Sequence, residues 1–163
     1  DPKIDPARVA GMGISFGGNA AARLFLRPKL NLQGIVSACG PLKSAFELPP
    51  QAYDQLPAFT IDGVRDRVGL APGSPSTELA TTVQPFVIPA VTDATPSIDT
   101  PLLLLATEED PVAPPSDLVL LTARASHADV LISREPGHCP NEYLIASTAA
   151  AWLGQRLNKQ TSH

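Results

Sequence analysis

The sequence predicts an α/β protein, a three-layer α/β/α arrangement around a mainly parallel sheet. Short apolar runs alternate with helical patterns along most of its 163 residues, and alternation of this kind places helices on the faces of a parallel sheet. One run, Pro-Leu-Leu-Leu-Leu-Ala-Thr at 101–107, is apolar almost throughout, as strands covered on both faces are. A helix rich in Gly and Ala follows the first run, and small residues let it lie close against a sheet.

Each element has its own signal. Residues 8–14 read as a short buried strand. Residues 16–26 read as a helix, which Pro28 stops. Residues 33–39 form a second strand, ended by Gly40-Pro41. The composition then changes: 41–99 holds nine of the eighteen prolines and no strong period. Short helices are expected there, one starting at Ser74-Pro75 with Ser74 as N-cap and Pro75 as the first helical residue. After the strand at 101–107 come a helix at 116–124, a strand at 128–133 and a last helix at 143–157. That helix carries Ile145, Ala149, Trp152, Leu153 and Leu157 on one face at helical spacing. Residues 159–163 read as a frayed tail. The chain divides accordingly into 1–40, an insertion at 41–99, and 100–163.

Composition excludes several classes. At 44% hydrophobic residues the chain can build a core. No apolar run approaches the roughly 20 residues that cross a bilayer. The formal charge is −4 without a basic patch, so neither nucleic acid nor a membrane is an expected partner. Two cysteines, Cys39 and Cys139, are too few for a disulfide framework or a zinc site. They read as two reduced thiols in a cytoplasmic protein, Cys39 packed in the core and Cys139 inert, with one disulfide between them as the alternative. The opening Asp-Pro-Lys-Ile-Asp-Pro reads as a loop entering a strand, with no initiator Met and no signal peptide.

The chemistry is carried by Gly13-Ile14-Ser15-Phe16-Gly17, a G-x-S-x-G between a predicted strand and a predicted helix. That turn lifts a serine above a sheet edge, and its neighbours two residues either side, Gly13 and Gly17, must be small. Gly18 extends the run of small residues, and Asn19 is expected to fix the elbow by side-chain hydrogen bonds. The backbone N–H of Phe16 is placed to donate to an oxyanion. A serine needs a base. Of three histidines, His163 is in the tail and His127 reads as a solvated loop residue. His138 follows the last strand, on the same sheet edge as Ser15. Asp110 follows the strand at 101–107 and supplies the orienting carboxylate, with Glu108 and Glu109 as competitors. No G-x-G-x-x-G and no metal-ligand spacing is present, so neither a metal nor a cofactor is expected.

The order Ser15…Asp110…His138, with Gly-His-Cys before a last helix, resembles the second half of the α/β-hydrolase fold. Ser15-Phe16-Gly17-Gly18-Asn19, Ser37-Ala38-Cys39-Gly40-Pro41 and Gly137-His138-Cys139 resemble more narrowly the fermentation-respiration-switch-type esterases. That family includes C–C bond hydrolases of the pseudooxynicotine type and fungal polyketide-shortening enzymes. The resemblance implies Ser15 as nucleophile, Asp110 as acid, His138 as base and Phe16 N–H as one oxyanion donor. It implies a cap for 41–99, whose Phe46, Tyr53, Phe59 and Phe86 either cover an apolar substrate or form the cap's own small core. It also implies earlier strands ahead of Ser15 and a second oxyanion donor from one of their loops. The chain then corresponds to the C-terminal half, whose partners are a small-molecule substrate and either an N-terminal half or a second copy. The expected reaction is hydrolysis of an ester or thioester of a small apolar metabolite through an acyl-enzyme. The alternatives are C–C cleavage of a β-diketone or polyketide-like substrate, and non-catalytic binding on a retained fold.

Overall fold

The computed structural model of the chain describes residues 5–92 and 94–158; the tail at 159–163, His163 included, lies outside them. Four strands, β1 (Gly11–Ile14), β2 (Ile35–Ala38), β3 (Leu102–Thr107) and β4 (Ala128–Ser133), form one sheet in that order, every pair parallel. The register is nearly flush: Gly11, Ile35, Leu102 and Ala128 stand side by side. All four strands therefore end on one edge.

Period two sorts the central strands between two cores. Ile35, Leu102 and Leu104 face Ala21, Ala22 and Phe25 of α1 (Phe16–Phe25) and Leu120 and Leu121 of α5 (Val119–Thr122). Val36, Ala38, Leu103 and Leu105 face Ile145, Ala149 and Trp152 of α6 (Glu142–Asn158). Helices thus cover both faces, and β2 and β3 are buried at every position. Trp152 donates its indole N–H to Asp129 at 2.7 Å, and Arg156 stacks over its ring while pairing with the same carboxylate.

The segment between β2 and β3 holds α2 (Pro50–Tyr53), α3 (Ala58–Arg67) and α4 (Ser76–Thr82) around a third core of Phe46, Tyr53, Ile61, Leu79 and Val83. Its ends are tied to the sheet. Leu42, Ile88 and Ile98 join the first core. Asp117 accepts from the backbone N–H groups of Lys43 and Ser44 and from the Ser44 hydroxyl, at 2.7–3.0 Å.

Several elements differ from expectation. The first strand starts at Gly11, because Asp5 caps a 3-10 turn over Pro6–Arg8 that opens on a proline. It is not buried: β1 has one neighbour among the described strands, and Met12 and Ile14 are 44% and 46% exposed. The helix expected at 116–124 is a 3-10 turn, Pro115–Leu118, followed by the short α5. Ser74 does not cap α4. Pro75 occupies the N-cap position without a side-chain bond, and Ser74 lies in a turn after left-handed Gly73. No helix among the described residues is long and apolar enough to cross a membrane.

Candidate active site

Ser15 sits where β1 turns into α1. Its φ of 53° and ψ of −123° are unfavourable for a residue with a side chain. The strain holds because both sides are fixed: Ser15 N–H donates to Ala38 O at 2.9 Å, and its carbonyl accepts from Gly18 N–H at 2.7 Å. The turn leaves no room at Gly13, where a Cβ would lie 1.9 Å from the Gly17 carbonyl oxygen. Gly17 itself faces open space, against expectation. The tight position is Gly18, whose Cβ would meet the Gly40 backbone at 2.7 Å, so that contact lets α1 lie on the end of β2. Phe16 N–H opens the helix and has no intrahelical acceptor at that position.

His138 occupies the turn between β4 and α6. Its Nε2 lies 2.8 Å from Ser15 Oγ, and its Nδ1 lies 2.9 Å from both Asp110 oxygens. Asp110 is one of three acidic residues past β3, and it alone turns inward. Its side chain is fully buried, and Oδ1 also accepts from Val112 and Ala113 N–H at 2.8 Å. Those donors offset the cost of burying a carboxylate. Glu108 instead reaches Arg134 at 3.9 Å on the surface, and Glu109 is exposed. The chain thus assembles a serine, an imidazole and a buried carboxylate in a continuous hydrogen-bonded line, with Nδ1–H donating to Asp110 and Nε2 free to accept from Ser15.

The turn carrying His138 is clamped. Glu135 accepts from Asn141 through its backbone N–H at 2.8 Å and through its side-chain amide. These bonds, with one from Ser133, hold the Glu135 carboxyl below the usual carboxylate range. Asn141 Oδ1 in turn accepts from Leu144 N–H and caps α6. Thr107 Oγ1 donates to Gly137 O at 2.7 Å. Nothing in the sequence reading anticipated this clamp, although an Asn three residues before Leu144 is a helix-start signal.

Two further expectations are corrected, and one open alternative is decided. Cys39 and Cys139 are not free thiols but a disulfide with a Cα–Cα distance of 5.0 Å. Cys39 follows β2 directly and Cys139 follows His138, so both stand on the strand-end edge; that shared edge was the signal. Together with His138 they bring three ligand atoms within 4.8 Å, but the joined sulfurs are not thiolates. Asn19 does not brace the elbow. It donates to Pro41 O at 2.8 Å and Phe86 O at 3.0 Å, tying α1 to the inserted segment. Of the two readings of that segment's aromatics, its own small core is the one the packing bears out for Phe46, Tyr53 and Phe86. Phe46 and Phe86 pack against each other and against Phe16, Tyr53 joins their core, and Phe59 is 82% exposed.

Beside Ser15 lies α3. Thr60, Gly63, Val64 and Arg67, at helical spacing, line a cavity of about 470 Å³ with Asp66, Ile14, Ser15, Phe16 and Gly17. A second groove, lined by His138, Cys139, Asn141 and Ile145 with Met12 and Ile14, opens on the other side of Ile14. His127 is exposed in a third groove with Gln33, Asp129 and Arg156, at the opposite edge of the sheet.

This architecture has known counterparts. The family described as Esterase FrsA-like matches residues 1–157. An Esterase FrsA of Vibrio cholerae is 31% identical over 166 residues, covering 97% of this chain and 38% of that protein. One from Vibrio vulnificus is 31% identical over 122 residues, covering 71% and 28%. The chain therefore spans about a third of the length of the curated relatives it matches. Among solved structures, AbyA5 matches with a TM-score of 0.67 at 20% identity, over 92% of this chain and 42% of that one. Acetyl xylan esterase 1 from Thermoanaerobacterium sp. matches with 0.60 at 21%, over 97% and 48%. These likenesses are of fold, and the fold is that of the α/β-hydrolases. By its sequence and its architecture together, the chain belongs to the FrsA-like esterase family.

Proposed function

We propose that the chain carries the reaction centre of a serine hydrolase that cleaves an ester or thioester of a small metabolite. The observation that carries this reading is the line Ser15 Oγ–His138 Nε2–His138 Nδ1–Asp110, with distances of 2.8 and 2.9 Å. As Ser15 Oγ attacks the carbonyl carbon, its proton passes to His138 Nε2. Asp110 stabilises the imidazolium and fixes the ring tautomer. Negative charge gathers on the former carbonyl oxygen, where Phe16 N–H is the donor this chain supplies. Collapse expels the alcohol or thiol, which takes the proton from His138 and leaves an acyl group on Ser15. Water then repeats the sequence, giving up its proton to His138 and releasing the acid. The cavity under α3 is the acceptor for the substrate. Its lining is mixed, with Ile14, Phe16 and Val64 apolar and Thr60, Asp66 and Arg67 polar.

The test is the intact mass of the protein after a fluorophosphonate probe, with Ser15→Ala as control. One adduct, absent from the variant, is the expected outcome. Assays with 4-nitrophenyl esters and with β-diketones then separate ester from C–C cleavage. A folded protein of its relatives' full length that takes no adduct sinks the hydrolase reading and favours a binding protein on this fold.

A further inference from the structure

We propose that the Cys39–Cys139 disulfide is a positioning device for His138, so that the base is aligned in the oxidised chain and released in the reduced one. The proposal rests on the hydrolase reading for its consequence, but its geometry stands apart from that reading.

The two halves of the bridge differ in how they are held. Cys39 is an anchor. It closes β2 in the middle of the sheet, it is 2% exposed, and its N–H donates to Leu105 O at 2.6 Å. Cys139 belongs to the turn after β4 and is bonded directly to the residue that must be placed. Among the described residues, its hydrogen bond there is a long one, from its N–H to Asp110 Oδ2 at 3.4 Å. The covalent link ties the turn to the rigid centre of the sheet on the Cys139 side of His138, as the Thr107 Oγ1–Gly137 O bond of 2.7 Å does on the other.

Both bridge residues also hold left-handed backbone, with φ of 43° at Cys39 and 74° at Cys139. Few residues with a Cβ adopt it without something that fixes them there. On the other side of His138, Gly137 has φ of 96° and takes that conformation freely. His138 thus stands between a permissive glycine and a cysteine whose bridge constrains it. A dithiol reductant converts the bridge to two thiols: the S–S bond breaks, two S–H bonds form, and the reductant leaves as its cyclic disulfide. Cys139 is then free to return to ordinary φ, and His138 moves with it. A misplacement of about 1 Å at a reacting group costs on the order of 100-fold in rate. Cys139 and His138 both line the open groove beside Met12 and Ile14, which gives a small dithiol access.

The experiment compares the oxidised protein with the same protein reduced by dithiothreitol, and with Cys39→Ala and Cys139→Ala, all with folding checked by circular dichroism. The first readout is the ring tautomer of His138 in long-range ¹H–¹⁵N spectra, recorded in alkaline buffer. It is assigned with a His138→Gln variant. The aligned ring carries its proton on Nδ1, towards Asp110, and a released ring shifts it to Nε2. The second readout is fluorophosphonate labelling of Ser15, with kcat and KM on a 4-nitrophenyl ester. Expected on reduction are the tautomer shift, a fall of tenfold or more in labelling and kcat with little change in KM, and recovery on reoxidation with diamide. If a variant does not fold, reduced wild-type protein still gives the answer. A tautomer unchanged on reduction, with labelling within twofold, overturns the proposal. So does a chain whose thiols diamide does not join. A tautomer that shifts in a protein never labelled in either state upholds the positioning role and removes the hydrolase reading instead.

Discussion

Ser15 is held at φ 53°, a conformation in which a side chain carries strain of about 1–3 kcal/mol. Glycine at the same place would shed that strain while adding conformational freedom to the unfolded chain, worth about 0.5–1 kcal/mol. The balance favours the folded state. Ser15→Gly is expected to be more stable than the wild type by about 1 kcal/mol in urea denaturation, and to take no fluorophosphonate. A variant less stable than the wild type would mean that the elbow is not strained. Much of this residue's setting was legible in sequence, because G-x-S-x-G between a strand and a helix has one geometric meaning. The same holds for Asp110 and His138, whose places at strand ends put them on the edge shared with Ser15. Gly17 was not legible. Its smallness was inferred from the motif, yet the space around it is open, and beyond Gly13 the close approach lies at Gly18 and Gly40. Which glycine is crowded depends on the end of β2, a neighbour in space and not in sequence.

Among the elements, the turn between β4 and α6 shows how a loop can be made exact enough to hold an imidazole in line with Ser15 and Asp110. Glu135 and Asn141 close it from both sides, and Asn141 also starts the helix that follows. The Glu135 carboxyl is held below its ordinary value of 4.5 by the Asn141 bonds. A carboxylate with a lowered folded value stabilises fully above the unfolded value, and that contribution fades as pH falls through the lower, folded value. Urea midpoints from about pH 6 down to about pH 3 should therefore fall more steeply in the wild type than in Glu135→Gln, and the two should converge at the acid end. Parallel curves would remove Glu135 from the clamp. Element types were read well where the apolar pattern was dense, as at β3, β4 and α6. Ends were read less well where proline governs. Asp5-Pro6, Pro114-Pro115 and Pro75 each set a turn or a helix start that the hydrophobic period does not encode.

For the molecule as a whole, the sheet is stabilised unevenly. Leu104 is fully buried, in the central β3, while Val130 on β4 is 45% exposed. Leu104→Ala should cost about 3 kcal/mol of stability in denaturant titration. Val130→Ala should change it by roughly 0.5 kcal/mol or less. Equal losses would mean that the second face of β4 is covered as β3 is. The three-layer plan was legible because alternation of strands and helices has few solutions. The disulfide was legible only as an alternative, because a shared strand-end edge does not by itself bring two cysteines a hundred residues apart to bonding distance.

The separation of β2 from β3 has a kinetic side. Ile35 and Leu102 are partners in the sheet, yet the whole of α2, α3 and α4 lies between them in the chain. Every strand pair here is parallel, so none forms by a tight hairpin, and the central pair must close the longest loop of all before its first ladder bond rewards it. Contacts so distant along the chain slow folding more than they weaken the folded state. The central ladder, the best-buried part of the protein, is thereby also the part whose assembly sets the pace.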